Sequence, residues 1–64
     1  MGTTIGLDDV VKIDGIVGYV DFIGADILIL VDEDDREHRI ERRNIQTVEI
    51  LQRCNMNELA RIEL

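Results

Sequence analysis

Apolar residues recur at every second position through much of this chain, and this alternation limits the fold to one built from short β-strands. The alternation is clearest in segments 11–14 and 16–23. Asp14-Gly15 and Gly24-Ala25-Asp26 supply turn-forming residues at the ends of these segments. Gly18, inside a strand pattern, predicts a sharp bend or a close approach of another backbone.

The pattern as a whole predicts an all-β fold, a small five-stranded antiparallel barrel formed by one domain. The barrel core covers about residues 10–51, and a C-terminal arm follows at about 53–64. For the arm, Asn55-x-x-Glu58 resembles a helix capping box, whereas Ala60, Ile62 and Leu64 lie in strand phase. We slightly favour a final strand or an ordered arm. The five predicted strands cover about residues 11–13, 16–23, 27–31, 37–42 and 47–51.

Composition narrows the function classes. Tyr19 and Phe22 are the only aromatic residues among 64, so the core must be aliphatic and a base-stacking platform has almost nothing to stack on. The single cysteine, Cys54, forms no internal disulfide and fits a reducing, cytoplasmic location. The longest apolar run has five residues, which is too short to span a bilayer.

The charge is unevenly distributed along the chain. Residues 1–35 contain nine acidic residues and one basic residue, whereas residues 36–64 contain five acidic and six basic residues. The net charge of −7 disfavours RNA or nucleotide binding and favours solubility or a basic protein partner. One hypothesis is therefore an acidic decoy or inhibitor that binds a basic host protein.

The apolar run 27–31 is the most informative anomaly. A half-buried strand alternates, but this one is apolar on both faces, so its second face must be covered. We expect another subunit to cover it, and the alternative is the C-terminal arm of the same chain. The predicted oligomer interface consists of Ile27, Leu28, Ile29, Leu30 and Val31.

Gly18 lies within the second predicted strand and is followed by Val20, Ile23 and the apolar third strand that begins at Ile27. Segment 10–51 thereby resembles the small SH3-like and Sm-like barrels. Gly18, Val20, Ile23 and Ile27 stand in places comparable with the first Sm-like motif. Segment 40–45 resembles the second motif at Ile40, Asn44 and Ile45. The chain is also similar, more weakly, to small acidic proteins of phages and marine metagenomes.

The Sm-like resemblance implies ring assembly through the fourth and fifth strands, and RNA binding by the ring. Arg42, Arg43 and Asn44 would approach the central opening and are the candidate phosphate- or RNA-binding residues. The alternative is that these arginines form ion pairs with a neighbour's acidic half. The sequence departs from the family where Gly24 and Leu28 replace its RNA-contacting Asp and Asn, and where Glu41-Arg42 replaces its Arg-Gly.

Catalytic and metal-binding patterns are weak. Residues 32–35 are four consecutive acids without the spaced ligands of a calcium loop, so a solvated hairpin tip is the simpler interpretation. Asp8 or Asp9 is expected to cap a turn, because no nucleophile adjoins them. His38 is the sole candidate base and Cys54 lies in a distant stretch. We predict no metal, no cofactor and no enzymatic activity.

The leading hypothesis is therefore a non-enzymatic β-barrel that self-associates, in a ring or another form, and serves as a binding or assembly module. Two alternatives remain open at this point. One is RNA or nucleotide binding through an arginine-lined ring, and the other is the acidic decoy.

Overall fold

Short strands and two single-turn 3₁₀ helices build the chain in this computed structural model, which describes residues 2–64. Neither helix in that range has the length or the apolar composition needed to cross a membrane. The helices are Arg42–Asn44 and Glu58–Ala60. The strands are β1 Thr4–Ile5, β2 Val10–Ile13, β3 Ile16–Ile23, β4 Ile27–Val31, β5 Glu37–Glu41, β6 Val48–Gln52 and β7 Ile62–Glu63.

The strands form two antiparallel sheets. The larger sheet has the order β5-β4-β3-β2-β6, and β1 pairs with β7 in a separate two-stranded sheet. The all-β prediction is confirmed, and β2 to β6 correspond to the five strands expected from the alternation. The count of five is corrected, because residues 2–64 hold seven strands. The barrel is not confirmed, because in that range the larger sheet remains open at β5 and β6. The two additional strands are two residues long. β1 is too short for a period-two pattern to reveal, whereas β7 lies where Ala60, Ile62 and Leu64 are in strand phase.

A bulge in β3 changes which side chains face the core. Val20 pairs with Leu30 and Phe22 pairs with Ile29, which leaves Asp21 as the extra residue. Simple alternation places Phe22 in phase with Val20, and that prediction is wrong. Downstream of the bulge Phe22 is exposed, and Ile23 packs against the core instead.

Gly18 allows two strands to approach closely, as its position within a strand predicts. A Cβ atom on residue 18 would lie 2.6 Å from the carbonyl oxygen of Val31, closer than a carbon and an oxygen can come. The obstacle is backbone, which has little freedom to move aside. Any side chain at residue 18 would therefore separate β3 from the end of β4.

One face of the larger sheet packs against an aliphatic core, and the terminal sheet lies over that core. Ile62 and Leu64, from the C-terminal arm, are partly buried against it. The arm thus contains both a 3₁₀ turn and a strand, in agreement with the preference for a final strand. The fully buried apolar side chains are Ile5, Val11, Ile13, Val20, Leu28 and Leu30.

The buried carboxylate of Asp9 connects the two ends of the chain. Its Oδ2 accepts hydrogen bonds from the backbone N–H of Gly6 and from the guanidinium of Arg53, each at 3.0 Å. Its Oδ1 accepts from the backbone N–H groups of Cys54 at 2.7 Å and Asn55 at 2.6 Å. The expected turn cap is one of these contacts, and the other three join residues more than forty positions away.

Further bonds extend this connection along both terminal segments. Arg53 donates to the carbonyl of Thr4 at 3.0 Å, and the Asn55 amide donates to the carbonyl of Leu7 at 3.0 Å. Arg61 donates to the carbonyl of Asn55 at 2.7 Å. The Asp9 contacts therefore position β1 and β7 for pairing.

The pKa of Asp9 lies below its ordinary value. Burial alone would raise this pKa because desolvation disfavours the charged form. The N–H donors of Asn55, Gly6 and Cys54, with the positive charge of Arg53, outweigh that effect. The carboxylate is therefore held ionised inside the protein.

We expect Asp9→Asn to lower the free energy of unfolding by roughly 3 kcal/mol, because an amide cannot accept at both atoms and leaves Arg53 without its counter-charge. Asp8→Asn is the matched control. Asp8 is exposed at φ 73°, a conformation that asparagine adopts readily, so its substitution should change stability by less than about 0.5 kcal/mol. Urea unfolding measures both variants, and equal stabilities would contradict the role given to Asp9.

The same pair of variants has a defined pH dependence. The folded-state pKa of Asp9 is lowered, so its stabilisation is complete above the unfolded-state value of about 3.9 and is lost as pH falls through the folded pKa. Asp9→Asn should therefore lose less stability than wild type between pH 5 and pH 2 (approximate bounds of the linkage window). Parallel pH profiles would show that Asp9 does not titrate with unfolding.

Candidate functional site

Both aromatic residues of the chain lie on the solvent side of the central strand β3. Tyr19 is 39% exposed and Phe22 is 47% exposed, and Val17 on the same side is 46% exposed. On β4, Ile29 pairs with Phe22 and is half-buried, as is Ile27. We call this set, Val17, Tyr19, Phe22, Ile27 and Ile29, the outward face. Its side chains give the sheet an apolar surface on the side opposite the core.

The outward face adjoins a groove of about 630 Å³ that ends at the β4–β5 loop. Tyr19 and Val17 form part of its apolar floor, and the loop supplies four acidic residues to its rim. The groove is lined by Val10, Val17, Gly18, Tyr19, Val31, Asp32, Glu33, Asp34 and Asp35. Aromatic floor and acidic rim thus meet in one concave surface.

Asp32 holds this acidic loop in one conformation. Its Oδ1 accepts from the backbone N–H of Asp34 at 2.9 Å and of Arg36 at 3.1 Å. Its Oδ2 lies 2.7 Å from Nε2 of His38. His38, followed by the N–H of Arg36, lowers the pKa of Asp32 below its ordinary value. Asp35 completes the turn at φ 61°.

The predicted arginine site lies at the opposite end of β4. Arg42 Nη1 donates to the carbonyls of Gly24 at 2.7 Å and Ala25 at 3.1 Å, so this guanidinium closes the β3–β4 turn. Arg43 is 84% exposed and its Nε lies 3.5 Å from Glu41. The Asn44 amide donates to the same Glu41 carboxylate at 3.0 Å. Arg42 and Arg43 line a hollow of about 320 Å³, and Asn44 is joined to them only through Glu41, which also lines it.

The five residues predicted as an interface divide between two faces. Leu28 and Leu30 are fully buried in the core of their own chain, and Val31 is also buried. Within this fold the Leu28 and Leu30 side chains cannot meet a second copy, whereas Val31 pairs with the outward-facing Tyr19 and lines the groove. Ile27 and Ile29 remain on the outward face. The division has a simple cause, because a strand that is apolar on both faces still sends alternate residues to opposite sides.

The other sequence candidates separate in the structure. His38 contacts Asp32, whereas Cys54 is exposed and donates its backbone N–H to Asp9. Asp14 accepts from the N–H of Thr47 at 2.8 Å, and this bond lowers the pKa of Asp14. Among residues 2–64 no group of three His, Cys, Asp or Glu side chains is arranged to hold a metal ion.

Sequence reasoning missed the outward face. The alternation separates Tyr19 from Phe22, and only the bulge at Asp21 returns them to one side. An available signal was that the aliphatic residues alone suffice for a core, which leaves the two aromatics free for the surface.

Comparisons with protein-family models, with curated proteins and with solved structures gave no match to this chain.

We predict that Asp32→Ala loosens the acidic loop, because it removes the acceptor of the Asp34 and Arg36 N–H groups. Amide hydrogen exchange of these two groups, followed by NMR, should accelerate at least tenfold. Asp34→Asn, which keeps Asp32, is the control and should leave the Arg36 amide protected. Unchanged exchange in Asp32→Ala would mean that the loop is ordered by other contacts.

Proposed function

We propose that this protein is a non-enzymatic binding or assembly module that self-associates through its outward face. The observation that carries the proposal is the placement of Tyr19 and Phe22, the only two aromatics, on the solvent side of β3. Aromatic side chains contribute most when they are buried, and they are enriched at protein interfaces. A second copy would bury them.

The margins of the outward face favour a second copy of the same chain. On β5, Arg39 pairs with Ile29, and Glu37 and Glu41 flank it two residues away on either side. In a two-fold arrangement the arginine of one copy can oppose a carboxylate of the other. An interface of typical size takes about 800 Å² per partner, roughly a fifth of the 4364 Å² accessible surface.

The net charge of the protein opposes self-association and predicts how self-association depends on salt concentration. Each copy carries −7, so two copies repel each other at low ionic strength. Salt screens that repulsion over about 10 Å at 0.1 M. Self-association through an apolar face should therefore strengthen as salt is added.

The sheet order supports a related geometry for the assembly. The sequence resemblance is to the SH3-like and Sm-like fold, and the larger sheet has the order β5-β4-β3-β2-β6 with the 3₁₀ turn Arg42–Asn44 between β5 and β6. We propose this fold for segment 10–51. Among the described residues β5 and β6 each have one strand neighbour, so ring formation through these edges is the alternative mode.

RNA binding through Arg42, Arg43 and Asn44 is the second candidate function. The exposed Arg43 beside the 320 Å³ hollow supports it. Two observations weigh against it. Arg42 already donates to backbone carbonyls, and Asp26 and Glu41 line the same hollow and would repel phosphate.

We expect Phe22→Thr to weaken self-association at least tenfold, because threonine keeps the strand preference but removes the exposed ring. Leu51→Thr is the matched control, since Leu51 is 46% exposed on edge strand β6. Sedimentation velocity over a concentration series, at about 50 and 500 mM NaCl to span weak and strong screening, gives the dissociation constants. Wild type should associate more tightly at the higher salt.

Two results would contradict this proposal. One is that the wild-type protein sediments as a 7.3 kDa monomer at every protein concentration and every salt concentration. The other is an equal loss of association in Phe22→Thr and Leu51→Thr, which would place the interface elsewhere.

A further inference from the structure

We propose that the groove between β3 and the acidic loop binds a positively charged peptide segment that inserts an apolar side chain. This inference goes beyond self-association, because it assigns a different occupant to a groove that shares Val17 and Tyr19 with the outward face but does not include Phe22, Ile27 or Ile29. The groove volume of about 630 Å³ lies within the range of ordinary ligand pockets.

The floor of the groove is suited to an apolar anchor. Val10, Val17 and Tyr19 come from two adjacent strands, and Val10 pairs directly with Tyr19. Gly18 lies between Val17 and Tyr19 and also contributes to the groove lining. A leucine-sized group placed there would displace water from the apolar floor and bury apolar surface. Tyr19, which is 39% exposed, also supplies an aromatic ring, a group that attracts cationic side chains.

The rim supplies charge of one sign. Glu33, Asp34 and Asp35 are exposed, and within residues 2–64 none of these three carboxylates forms an ion pair. Asp32 is the exception on this rim, because it contacts His38. Three uncompensated carboxylates beside an apolar floor complement a segment that combines lysine or arginine with leucine-like residues.

The loop presents these carboxylates in an ordered arrangement. The Asp32 bonds to the N–H groups of Asp34 and Arg36 fix the loop backbone, and the N–H of Asp35 donates to the carbonyl of Asp32 at 3.0 Å. A preorganised rim loses little conformational entropy when a ligand binds.

Charge also disfavours two other candidate occupants of the groove. A second copy of this chain carries −7 and would bring further acids toward the rim. A nucleic acid would bring phosphates toward the same carboxylates. Of the occupants that match an apolar floor, a basic protein segment is the one that the rim attracts.

The experiment uses three synthetic eight-residue probe peptides on the intact chain. The first alternates lysine and leucine, the second replaces leucine by glycine, and the third replaces lysine by glutamate. Fluorescence anisotropy with labelled peptides gives the affinities at about 50 and 300 mM NaCl, a range over which screening of exposed charges changes strongly. The lysine–leucine peptide should bind at least tenfold more tightly than either of the others, and its affinity should fall as salt rises.

Two variants with equal charge change locate the site. Glu33→Gln/Asp34→Asn/Asp35→Asn neutralises the rim and leaves Asp32 to hold the loop. Asp26→Asn/Glu58→Gln/Glu63→Gln removes the same charge from three exposed positions outside the groove lining. The rim variant should lose at least tenfold in affinity for the lysine–leucine peptide, and the control should stay within twofold of wild type.

Several outcomes overturn the inference. Equal losses in the two variants would mean attraction by net charge alone, and equal affinity for the lysine–glycine peptide would mean that the apolar floor is unused. Absence of binding, or preference for the glutamate–leucine peptide, also contradicts it. Repeating the titration in Phe22→Thr separates this inference from self-association, since the groove lining does not include Phe22. The two processes also differ in their salt dependence, because self-association should strengthen and peptide binding should weaken as salt rises.

Discussion

The buried carboxylate of Asp9 is the interaction on which the rest of this small protein depends. A chain of 64 residues gains only about 3 to 5 kcal/mol from a single core. Its terminal strands are two residues long and cannot persist as an isolated pair. Asp9 brings them together by accepting from Gly6 on one side and from Arg53, Cys54 and Asn55 on the other. It thereby performs the task that a disulfide performs in other small domains.

This connection also determines which face of the larger sheet remains open. With the termini joined, Ile5, Ile62 and Leu64 pack over the inward face, where the aliphatic side chains of β2, β3 and β4 already lie. No described segment is left to cover the other side of β3 and β4. The outward face and the acidic groove are therefore consequences of how the ends are closed, and they are the two surfaces for which we propose binding.

The sequence predicted the parts of the fold that rest on local patterns. Strands β2 to β6, the turns at Asp14-Gly15 and Gly24-Ala25-Asp26, and the close approach at Gly18 all follow from period-two alternation and backbone sterics. The contacts of Asp9 could not be predicted in this way, because they join residues 44 to 46 positions apart and carry no local signature. The bulge at Asp21 was equally hidden, and it alone decides that Phe22 faces solvent.

The candidate sites, like the fold, were predictable from the sequence only in part. Ile27 to Val31 was recognisable as an unusual apolar run, but the division of Leu28 and Leu30 from Ile27 and Ile29 required the sheet. Arg42 to Asn44 was recognisable as a polar turn. That Arg42 closes the β3–β4 turn depends on carbonyl groups 17 and 18 residues away. Long-range geometry, which a single sequence does not encode locally, decided each case.

We propose that the outward face, and not the apolar run as a whole, meets a second copy. Isotope-filtered NMR on a mixture of labelled and unlabelled protein tests it directly. We expect intermolecular contacts that involve the Phe22 ring and the methyl groups of Ile27 and Ile29, and no intermolecular contacts from Leu28 or Leu30. Intermolecular contacts from Leu28 and Leu30, or no contacts in a concentrated sample at high salt, would contradict it.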